Sequence, residues 1–388
     1  MKKQLPKQKP VELTPIKSES EQSLGPVPTP VNPEKRIGYA LVGLGHLTLE
    51  ELLPAFGSCK YSKPVALVSG DPEKAKKVAD QYGIPSENIY NYDNFDSIKD
   101  NTDIDAVYIV LPNGMHEEFT IRAAKAGKHV LCEKPMANSV EEAKNMIAAC
   151  KKANKKLMIA YRIQYEPHNR LAQKWAREKK FGKVKLIESI NTQEIGDPKQ
   201  WRLDKKLGGN GALADIGIYC LNTVRFLLGE EPEEVLASAY STPGDKRFEE
   251  VEEAVLFQLK FPSGTRANCS TSYGVHQAQR YFCYGDDGGW FGLDPAFAYV
   301  RLQMKASHAE EDMELAIQPD LGEKNQFALE IDHMSLCIVE DKQPYTPGEE
   351  GLQDHIIIEA IYESARTGKP VKLKSTGELD IFRGSEPE

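Results

Sequence analysis

Short apolar runs alternate with segments of helical spacing between residues 36 and 159, and this alternation constrains the fold more than any other feature of the chain. The apolar runs are Ile37-Gly38-Tyr39-Ala40-Leu41-Val42, Val65-Ala66-Leu67-Val68, Ala106-Val107-Tyr108-Ile109-Val110, His129-Val130-Leu131-Cys132 and Leu157-Met158-Ile159. Apolar strands that are joined by helices predict a parallel sheet covered on both faces. We therefore predict an α/β fold with a doubly wound parallel Rossmann domain over residues 36–160.

Capping residues and apolar spacing place the helices of this domain. Asp71 precedes Pro72, which predicts a capped helix over Pro72–Tyr82. The spacing of leucines after residue 48 predicts a helix behind the first strand, and a further helix is expected over residues 139–153.

After residue 160 the pattern changes to strand-like runs with fewer helices. The runs over residues 252–261, 265–273 and 281–284 predict a largely antiparallel sheet. Helices are expected over residues 169–180, 215–228, 326–340 and 351–367. We predict an α+β domain with a large open sheet over residues 161–375, followed by a C-terminal tail over residues 376–388.

The first 35 residues form a different kind of segment, with seven prolines and few large apolar side chains. Such a segment cannot bury a core and is expected to be extended, partly as polyproline II. It is either a disordered tail or an arm that wraps onto another subunit. It lacks the apolar stretch of a secretion signal. The expected location is therefore the cytoplasm for the sequence as it stands, or the periplasm if an export signal was removed.

Charge and cysteine usage exclude several classes of function. A net charge of -9 disfavours nucleic acid and anionic membranes as partners. No apolar run approaches the ~18 residues of a membrane helix. The seven cysteines are scattered, without a Cys-x-x-Cys pair or a His-Cys cluster. We therefore expect neither a metal site nor a disulfide framework.

The turn Gly43-Leu44-Gly45 follows the first strand and precedes a helix. Glycines in this position allow a tight turn and let backbone amides approach a dinucleotide pyrophosphate at the start of the helix. Thr48 stands where the usual fingerprint has its third glycine.

The second strand ends at Ser69-Gly70-Asp71, with Lys74 one helical turn later. A hydroxyl, a glycine and a lysine suit a 2′-phosphate, which favours NADP over NAD. Asp71 has two interpretations: the acid that holds the ribose in NAD-specific proteins, or only a helix cap.

Two later strand ends carry polar residues. Asn113 follows the strand over residues 106–110, with His116 three residues further on; Asn113 either caps a helix or lines the nicotinamide ribose. Lys134, in Glu133-Lys134-Pro135, follows an apolar strand and would be costly to bury unless it points into a polar crevice.

Asp215 and Tyr219 are four residues apart and therefore share one helix face. A free tyrosine is a poor base at neutral pH, but an ammonium group such as that of Lys134 would stabilise its phenolate. Tyr219 could then exchange a proton with a carbinol oxygen, while Asp215 anchors sugar hydroxyls or orients Tyr219.

These motifs resemble the glucose–fructose oxidoreductase family of sugar and inositol dehydrogenases over about residues 36–370. Many members of the wider family carry histidine where this chain has Tyr219, and the tyrosine resembles the glucose–fructose branch. The chain differs from the family at His46-Leu47-Thr48 and over residues 282–290. The matching stretches include residues 38–45, 66–70, 105–109, 127–135, 200–203, 215–219 and 347–351.

The resemblance implies a tightly held NADP, with Gly43, Leu44 and Gly45 at the pyrophosphate and Ser69, Gly70 and Lys74 at the 2′-phosphate. The rest of the implied cofactor site is His46, Tyr92, Pro112, Asn113, His116, Glu133, Lys134, Arg162, Trp201 and Arg202. Lys134, Asp215 and Tyr219 would act on the sugar. The resemblance also implies a homodimer or homotetramer, formed through the C-terminal sheet and the N-terminal arm.

The resulting hypothesis is an NADP-dependent oxidoreductase that oxidises an aldose at C1 to a lactone, such as gluconolactone. A ketose or a second aldose would collect the hydride while the cofactor stays bound. One alternative is a conventional sugar dehydrogenase that releases NAD(P)H in each turnover. Another is a catalytically silent sensor or repressor on the same scaffold, which retention of Lys134, Asp215 and Tyr219 disfavours.

Overall fold

The computed structural model describes residues 36–374 and 376–387, and the predicted arm over residues 1–35 lies outside these described residues. The first part of the described chain forms a six-stranded parallel sheet, which confirms the predicted Rossmann fold. From edge to edge its strands are Ile89–Tyr90, Ser62–Val68, Ile37–Val42, Ala106–Ile109, His129–Glu133 and Leu157–Ala160. Strand order reverses beside Ile37–Val42, and ligands of such sheets bind in the crevice at this reversal.

The helices of this part begin and end close to the predicted positions. They are Pro72–Tyr82, His116–Lys125 and Val140–Lys152. Asp71 caps the first of them by accepting a hydrogen bond from the backbone N–H of Lys74, and Gly83 ends it with φ of 66°. The N-terminal cap of Val140–Lys152 is Ser139, which accepts from the N–H of Glu142.

The helix behind the glycine turn is irregular. It consists of three consecutive pieces, Thr48–Leu52, Leu53–Ala55 and Phe56–Ser58, of which the first is a wide π-type turn. The buried hydroxyl of Thr48 donates a hydrogen bond of 2.7 Å to the carbonyl of Gly43. Thr48 therefore fastens the glycine turn from the position of the missing third glycine.

The second sheet has nine strands in the described residues and is mostly antiparallel, as predicted. Val184–Glu194 and Arg266–Ser272 are its parallel pair. From edge to edge the strands are Met313–Ile317, Met304–Glu310, Gly289–Leu293, Gly274–Gly285, Val184–Glu194, Arg266–Ser272, Ala254–Lys260, Glu234–Tyr240 and Val371–Lys372.

Four longer helices accompany this sheet, namely Pro167–Arg177, Ile218–Leu228, Gln326–Val339 and Gly348–Thr367. The helix predicted over residues 215–228 begins instead as a wide π-type turn, Leu213–Gly217, and ends at Gly229 as expected. By length and composition the stretch Lys205–Leu228 could cross a membrane, but 83% of its apolar window is buried inside the protein, as in a core helix.

Helix Gln326–Val339 returns to the first sheet. The hydroxyl of Tyr39, on the first strand, donates to the carbonyl of Ile331 at 3.2 Å and lies 3.0 Å from the hydroxyl of Ser335. Residues from the predicted second domain therefore help to complete the core beside the parallel sheet.

A buried set of charges, the Arg225 cluster, joins two helices to the C-terminal segment. It comprises Arg225, Glu231, Glu350, Asp354 and Arg383. Arg225 is fully buried and pairs with all three carboxylates, while Arg383 donates to Glu350 at 2.8 Å. The predicted tail over residues 376–388 thus contributes a side chain to the interior.

All seven cysteines are buried and unpaired, as small core residues are expected to be.

Candidate active site

A cavity of about 580 Å³ lies at the carboxyl ends of the parallel strands, and turns and helices that follow residue 200 complete its wall. Every residue predicted for the cofactor site lines it except His116, and Asp215 and Tyr219 line it as well. The predicted residues on its wall are Gly43, Leu44, Gly45, His46, Ser69, Gly70, Lys74, Tyr92, Pro112, Asn113, Glu133, Lys134, Arg162, Trp201 and Arg202.

The glycine turn fits a bound pyrophosphate. Gly43 has φ of 101°, and a Cβ there would lie 2.4 Å from the carbonyl oxygen of Val110, so that only glycine is accommodated. A Cβ on Gly45 would meet no atom within 4 Å, which leaves the backbone open on the cavity side. This arrangement provides room for close approach of a phosphate to backbone amides.

The end of the second strand fits a 2′-phosphate better than a free ribose. Oδ1 of Asp71 caps the following helix by accepting a hydrogen bond of 3.0 Å from the backbone N–H of Lys74. The structure shows the capping role of Asp71, and Asp71 also lies in the cavity wall. Ser69 and Lys74 remain at the cavity wall to meet an anion.

Asn113 lines the cavity, in keeping with one of the two roles considered for it, whereas His116 does not. Asn113 does not cap its helix; its side-chain amide donates to the carbonyl of Gly208 at 2.8 Å. His116 is fully buried, with ring nitrogens 2.8 Å from the carbonyl of Leu111 and 3.0 Å from that of Pro135. Burial lowers the pKa of His116. It joins two strand ends behind the cavity wall rather than facing a ligand.

Lys134, Asp215 and Tyr219 come together at one end of the cavity. The Lys134 ammonium donates to the backbone carbonyl of Asp215 at 2.8 Å and to its carboxylate Oδ1 at 3.2 Å. The same nitrogen lies 4.8 Å from the centre of the Tyr219 ring. An amine at the end of a parallel strand and a phenol from the second sheet's helix thus share one site.

The phenol oxygen of Tyr219 is hydrogen-bonded to Arg162. Arg162 donates through Nη2 to the Tyr219 hydroxyl at 3.3 Å and to the carbonyl of Phe297 at 2.6 Å. Its Nη1 donates to the side chain of Gln326 at 2.6 Å. The guanidinium is therefore fixed by several bonds before any ligand binds.

Charge pairing keeps the site ionised despite its burial. Burial alone would raise the pKa of Asp215, but Lys134 and Arg202 outweigh it and hold that pKa well below its usual range. Arg202 lies 3.1 Å from Asp215 Oδ2, and the Tyr273 hydroxyl donates to the same oxygen at 2.7 Å. Burial would lower the pKa of Lys134, but Tyr219, Asp215 and Glu133 raise it. Both members of the Lys134–Asp215 pair therefore carry charge at neutral pH.

Seven lining residues were not predicted for the site: Leu47, Glu51, Val110, Leu111, Ala160, Tyr299 and Phe327. The Arg162 guanidinium lies 4.5 Å from the centre of the Tyr299 ring. Burial raises the pKa of Tyr299 to about 12. Glu51 follows the glycine turn within the same helix, so its position could have been suspected; Tyr299 and Phe327 carry no local signal.

A second cavity, of about 640 Å³, adjoins the first and shares Lys134, Asp215 and Tyr219 with it. Besides the carboxylate of Glu194, its wall carries five uncharged amides, from Asn191, Gln193, Gln200, Gln277 and Gln279. Amides both donate and accept hydrogen bonds, so this wall suits a neutral molecule rich in hydroxyl groups.

Comparison with known proteins gives two consecutive family matches. Residues 37–161 match the GFO/IDH/MocA oxidoreductase family with an NAD-binding Rossmann fold, and residues 169–291 match the GFO/IDH/MocA C-terminal domain.

Named relatives cover most of the chain. It is 35% identical over 344 residues to the NADP-dependent D-xylose 1-dehydrogenase of Haloarcula marismortui, covering 87% of this chain and 93% of that protein. It is 29% identical over 316 residues to a levoglucosan dehydrogenase of Pseudarthrobacter phenanthrenivorans, covering 75% and 77%. Among solved structures, an aldose–aldose oxidoreductase from Caulobacter crescentus in complex with glycerol superposes with a TM-score of 0.84 at 47% identity, covering 87% of this chain and all of that one.

Proposed function

The chain belongs to the GFO/IDH/MocA family of oxidoreductases, and from this premise we propose that it is an NADP-dependent enzyme that oxidises an aldose at C1 to a lactone. The observation that carries the proposal is the meeting of Lys134, Asp215 and Tyr219 between a dinucleotide-sized cavity and an amide-lined one. The NADP-dependent xylose dehydrogenase and the aldose–aldose oxidoreductase are both sugar oxidoreductases, which supports the same substrate class.

The choice of NADP rests on the end of the second strand. Asp71 lines the cavity, but its Oδ1 is engaged in capping the following helix. Ser69 and Lys74 offer a hydroxyl and a positive charge to a 2′-phosphate.

The proposed mechanism assigns proton transfer to Tyr219. When bound, the nicotinamide supplies the hydride acceptor. The phenolic oxygen of Tyr219 takes the proton of the sugar C1 hydroxyl, and the guanidinium of Arg162 stabilises negative charge on that oxygen through its hydrogen bond. Lys134, held by Asp215, places a second positive charge against the ring.

We further propose that a second sugar, a ketose or an aldose, collects the hydride while the nucleotide stays bound. The 47% identity to an aldose–aldose oxidoreductase over its whole length supports this two-sugar cycle. The alternative is a dehydrogenase that exchanges its nucleotide in each turnover, as the name of the xylose 1-dehydrogenase allows.

The decisive experiment is to denature the purified protein, identify any released nucleotide, and assay aldoses with and without fructose or a second aldose as acceptor. We expect released NADP(H), and lactone formation without added nucleotide when an acceptor sugar is present. A rate of sugar oxidation that depends saturably on added NADP⁺ would contradict the two-sugar cycle and support the conventional dehydrogenase. Lack of both nucleotide and sugar oxidation would contradict the enzyme altogether.

We also propose that the outer face of the nine-stranded sheet pairs with a second copy of the chain. Leu256 and Tyr240 are 55% and 57% exposed on neighbouring strands, and Leu236 lies beside them. Leu256→Lys is expected to lower the oligomer mass measured by light scattering. Val339→Lys, at a 66% exposed position on a helix, is the matched control. An unchanged mass for Leu256→Lys would exclude this face.

A further inference from the structure

A buried chain of three polar side chains leads from helix Gln326–Val339 to the wall of the dinucleotide-sized cavity. The hydroxyl of Tyr108 lies 2.9 Å from Oε1 of Glu133 and 3.2 Å from Oε1 of Glu330. Glu330 and Tyr108 are fully buried, while Glu133 lines the dinucleotide-sized cavity beside Lys134. None of these three groups has a part in the proton transfer assigned to Tyr219.

The number of protons in this chain is limited by geometry. A phenol has one proton, so the Tyr108 hydroxyl can donate to only one of its two carboxyl neighbours. The other carboxyl must bring its own proton and donate to the phenol oxygen; otherwise an unpaired buried anion would face a lone pair. One of the two glutamates is therefore neutral.

The surroundings place that proton on Glu330. The Oε2 of Glu133 accepts from the backbone N–H of Lys134 at 3.2 Å, and the Lys134 ammonium is close by. By contrast, Oε2 of Glu330 is buried and has no hydrogen-bond partner among the described residues. Negative charge is therefore stabilised on Glu133, whereas on Glu330 it would cost free energy.

The direction of the pKa values agrees with this placement. Burial and the charge of Glu133 raise the pKa of Glu330 well above its usual range, although Tyr108 and Arg162 oppose the rise. The remaining titratable neighbour is Tyr165, which is itself buried and neutral. The pKa of Glu133 is also raised by burial, but less far than that of Glu330, because Lys134, Tyr108 and Arg162 oppose the rise.

We propose that Glu330, acting through Tyr108, keeps Glu133 as a carboxylate at the cavity wall, and that this carboxylate makes the site prefer oxidised over reduced nucleotide. The proposal rests on the proposed binding of NADP. An oxidised nicotinamide ring carries a positive charge that the reduced ring lacks, so a fixed negative charge at the wall favours NADP⁺ over NADPH. Glu330 is then a positioning residue and not a catalytic one.

The first test compares dissociation constants for NADP⁺ and NADPH on nucleotide-depleted full-length protein, followed by the fluorescence of its tryptophans. Glu133→Gln is expected to reduce the preference for NADP⁺ by about tenfold, because it removes the charge. Glu330→Gln keeps a neutral donor to Tyr108 and should change the preference by less than about twofold. Glu178→Gln, at an exposed position, controls for the loss of one surface carboxylate.

Two outcomes would overturn the proposal. In the first, Glu133→Gln has the same preference for NADP⁺ over NADPH as Glu178→Gln. In the second, Glu330→Gln reduces this preference as much as Glu133→Gln does. A wild-type protein that binds neither nucleotide would instead refute the proposed function, and the nucleotide preference with it.

The second test locates the proton without any nucleotide. A carboxyl that is neutral when folded and ionised when unfolded destabilises the protein as pH rises above about 4.3, its unfolded pKa. Relative to Glu330→Gln, the unfolding constant of the wild type should therefore rise about tenfold per pH unit between pH 5 and the raised folded pKa. A variant that instead loses stability relative to the wild type as pH rises would show that Glu330 is the ionised member.

Discussion

At the scale of single residues, the phenol of Tyr219 is surrounded by fixed positive charge before any ligand is present. Arg162 bonds to its oxygen, and Lys134 lies against its ring. Asp215 in turn holds Lys134 and Arg202 by direct ion pairs. Because these cations are held by the protein, they can stabilise the phenolate that the proposed proton transfer requires with little reorganisation.

Replacing Tyr219 by phenylalanine removes the hydroxyl that takes the proton. It keeps the ring, whose centre lies 5.6 Å from the centre of the Phe297 ring. We expect kcat for sugar oxidation to fall by about 10²–10⁴-fold, the usual contribution of a general base. Nucleotide binding should change little, which is checked by the nucleotide content of the purified variant. Tyr240→Phe, at an exposed position on the sheet, is the control, and undiminished oxidation by Tyr219→Phe would remove the assigned base.

Asp215→Asn leaves Lys134 and Arg202 with no anion between them. We expect a loss of about 3 kcal/mol in the free energy of unfolding at neutral pH, as for other broken buried ion pairs. Since the folded pKa of Asp215 is depressed, its stabilising contribution is present above about pH 4 and lost as pH falls. Urea denaturation of the wild type and the variant at several pH values should show a difference in the free energy of unfolding that becomes smaller below about pH 4. A difference in the free energy of unfolding that does not change with pH would contradict the stabilisation by ion pairs.

At the scale of elements, the wide turn Leu213–Gly217 positions both the acid and the backbone of the site. Its carbonyls accept bonds from side chains of other elements: Asp215 from Lys134 at 2.8 Å, and Ile216 from the amide of Asn191 at 2.9 Å. Wide turns of this kind leave carbonyls free of the regular helical pattern and occur often at functional sites.

Gly217→Ala should disturb this turn. An added Cβ would lie 2.8 Å from Cγ2 of Thr271 and 3.1 Å from Cδ1 of Leu213, an overpacking that typically costs about 1–3 kcal/mol. Sugar oxidation should fall more than nucleotide binding, because the turn carries Asp215 and not the glycine cradle. Gly57→Ala, where an added Cβ meets no atom within 4 Å, is the matched control. Equal thermal stability of the two variants would show that the turn adapts to the methyl group.

Elements with local signals could be predicted from the sequence, and elements fixed by tertiary contacts could not. The helix Pro72–Tyr82 has a capping acid, a proline at its start and a glycine after its end, and the prediction matches its bounds. The strand Ile89–Tyr90 is two residues long and exists only because it pairs with Ser62–Val68. No pattern within two residues can reveal such a strand.

The same distinction applies to the candidate site. The glycine turn, Lys134 and the spacing of Asp215 and Tyr219 carry chemical meaning in the sequence itself. Tyr299 and Phe327 reach the cavity from a loop and a helix start more than 75 residues after Tyr219. His116 has a polar side chain at a strand end, yet two backbone carbonyls take up both of its ring nitrogens.

At the scale of the whole molecule, the Arg225 cluster connects the helices Ile218–Leu228 and Gly348–Thr367 to the C-terminal segment. Two guanidinium groups face three carboxylates in the interior. Burial and the neighbouring Glu350 raise the pKa of Asp354 to about 6, against the opposing effect of Arg225. Without Arg383, these three carboxylates would face a single cation, Arg225.

Arg383→Met is expected to lower the free energy of unfolding by about 3 kcal/mol, because it leaves buried carboxylates with one cation. Arg366→Met, at an exposed position near the end of Gly348–Thr367, should be neutral within about 0.5 kcal/mol. Thermal or urea denaturation of the two variants measures the difference. Similar stabilities would mean that the C-terminal segment is not held by this charge.

The burial of all seven thiols has a consequence for the settings in which this fold can operate. Burial raises the pKa of each of them, so none offers a thiolate to an oxidant or to a partner disulfide. We therefore expect the folded protein to form no disulfide in either reducing or oxidising surroundings. Its fold is compatible with sugar oxidation in both.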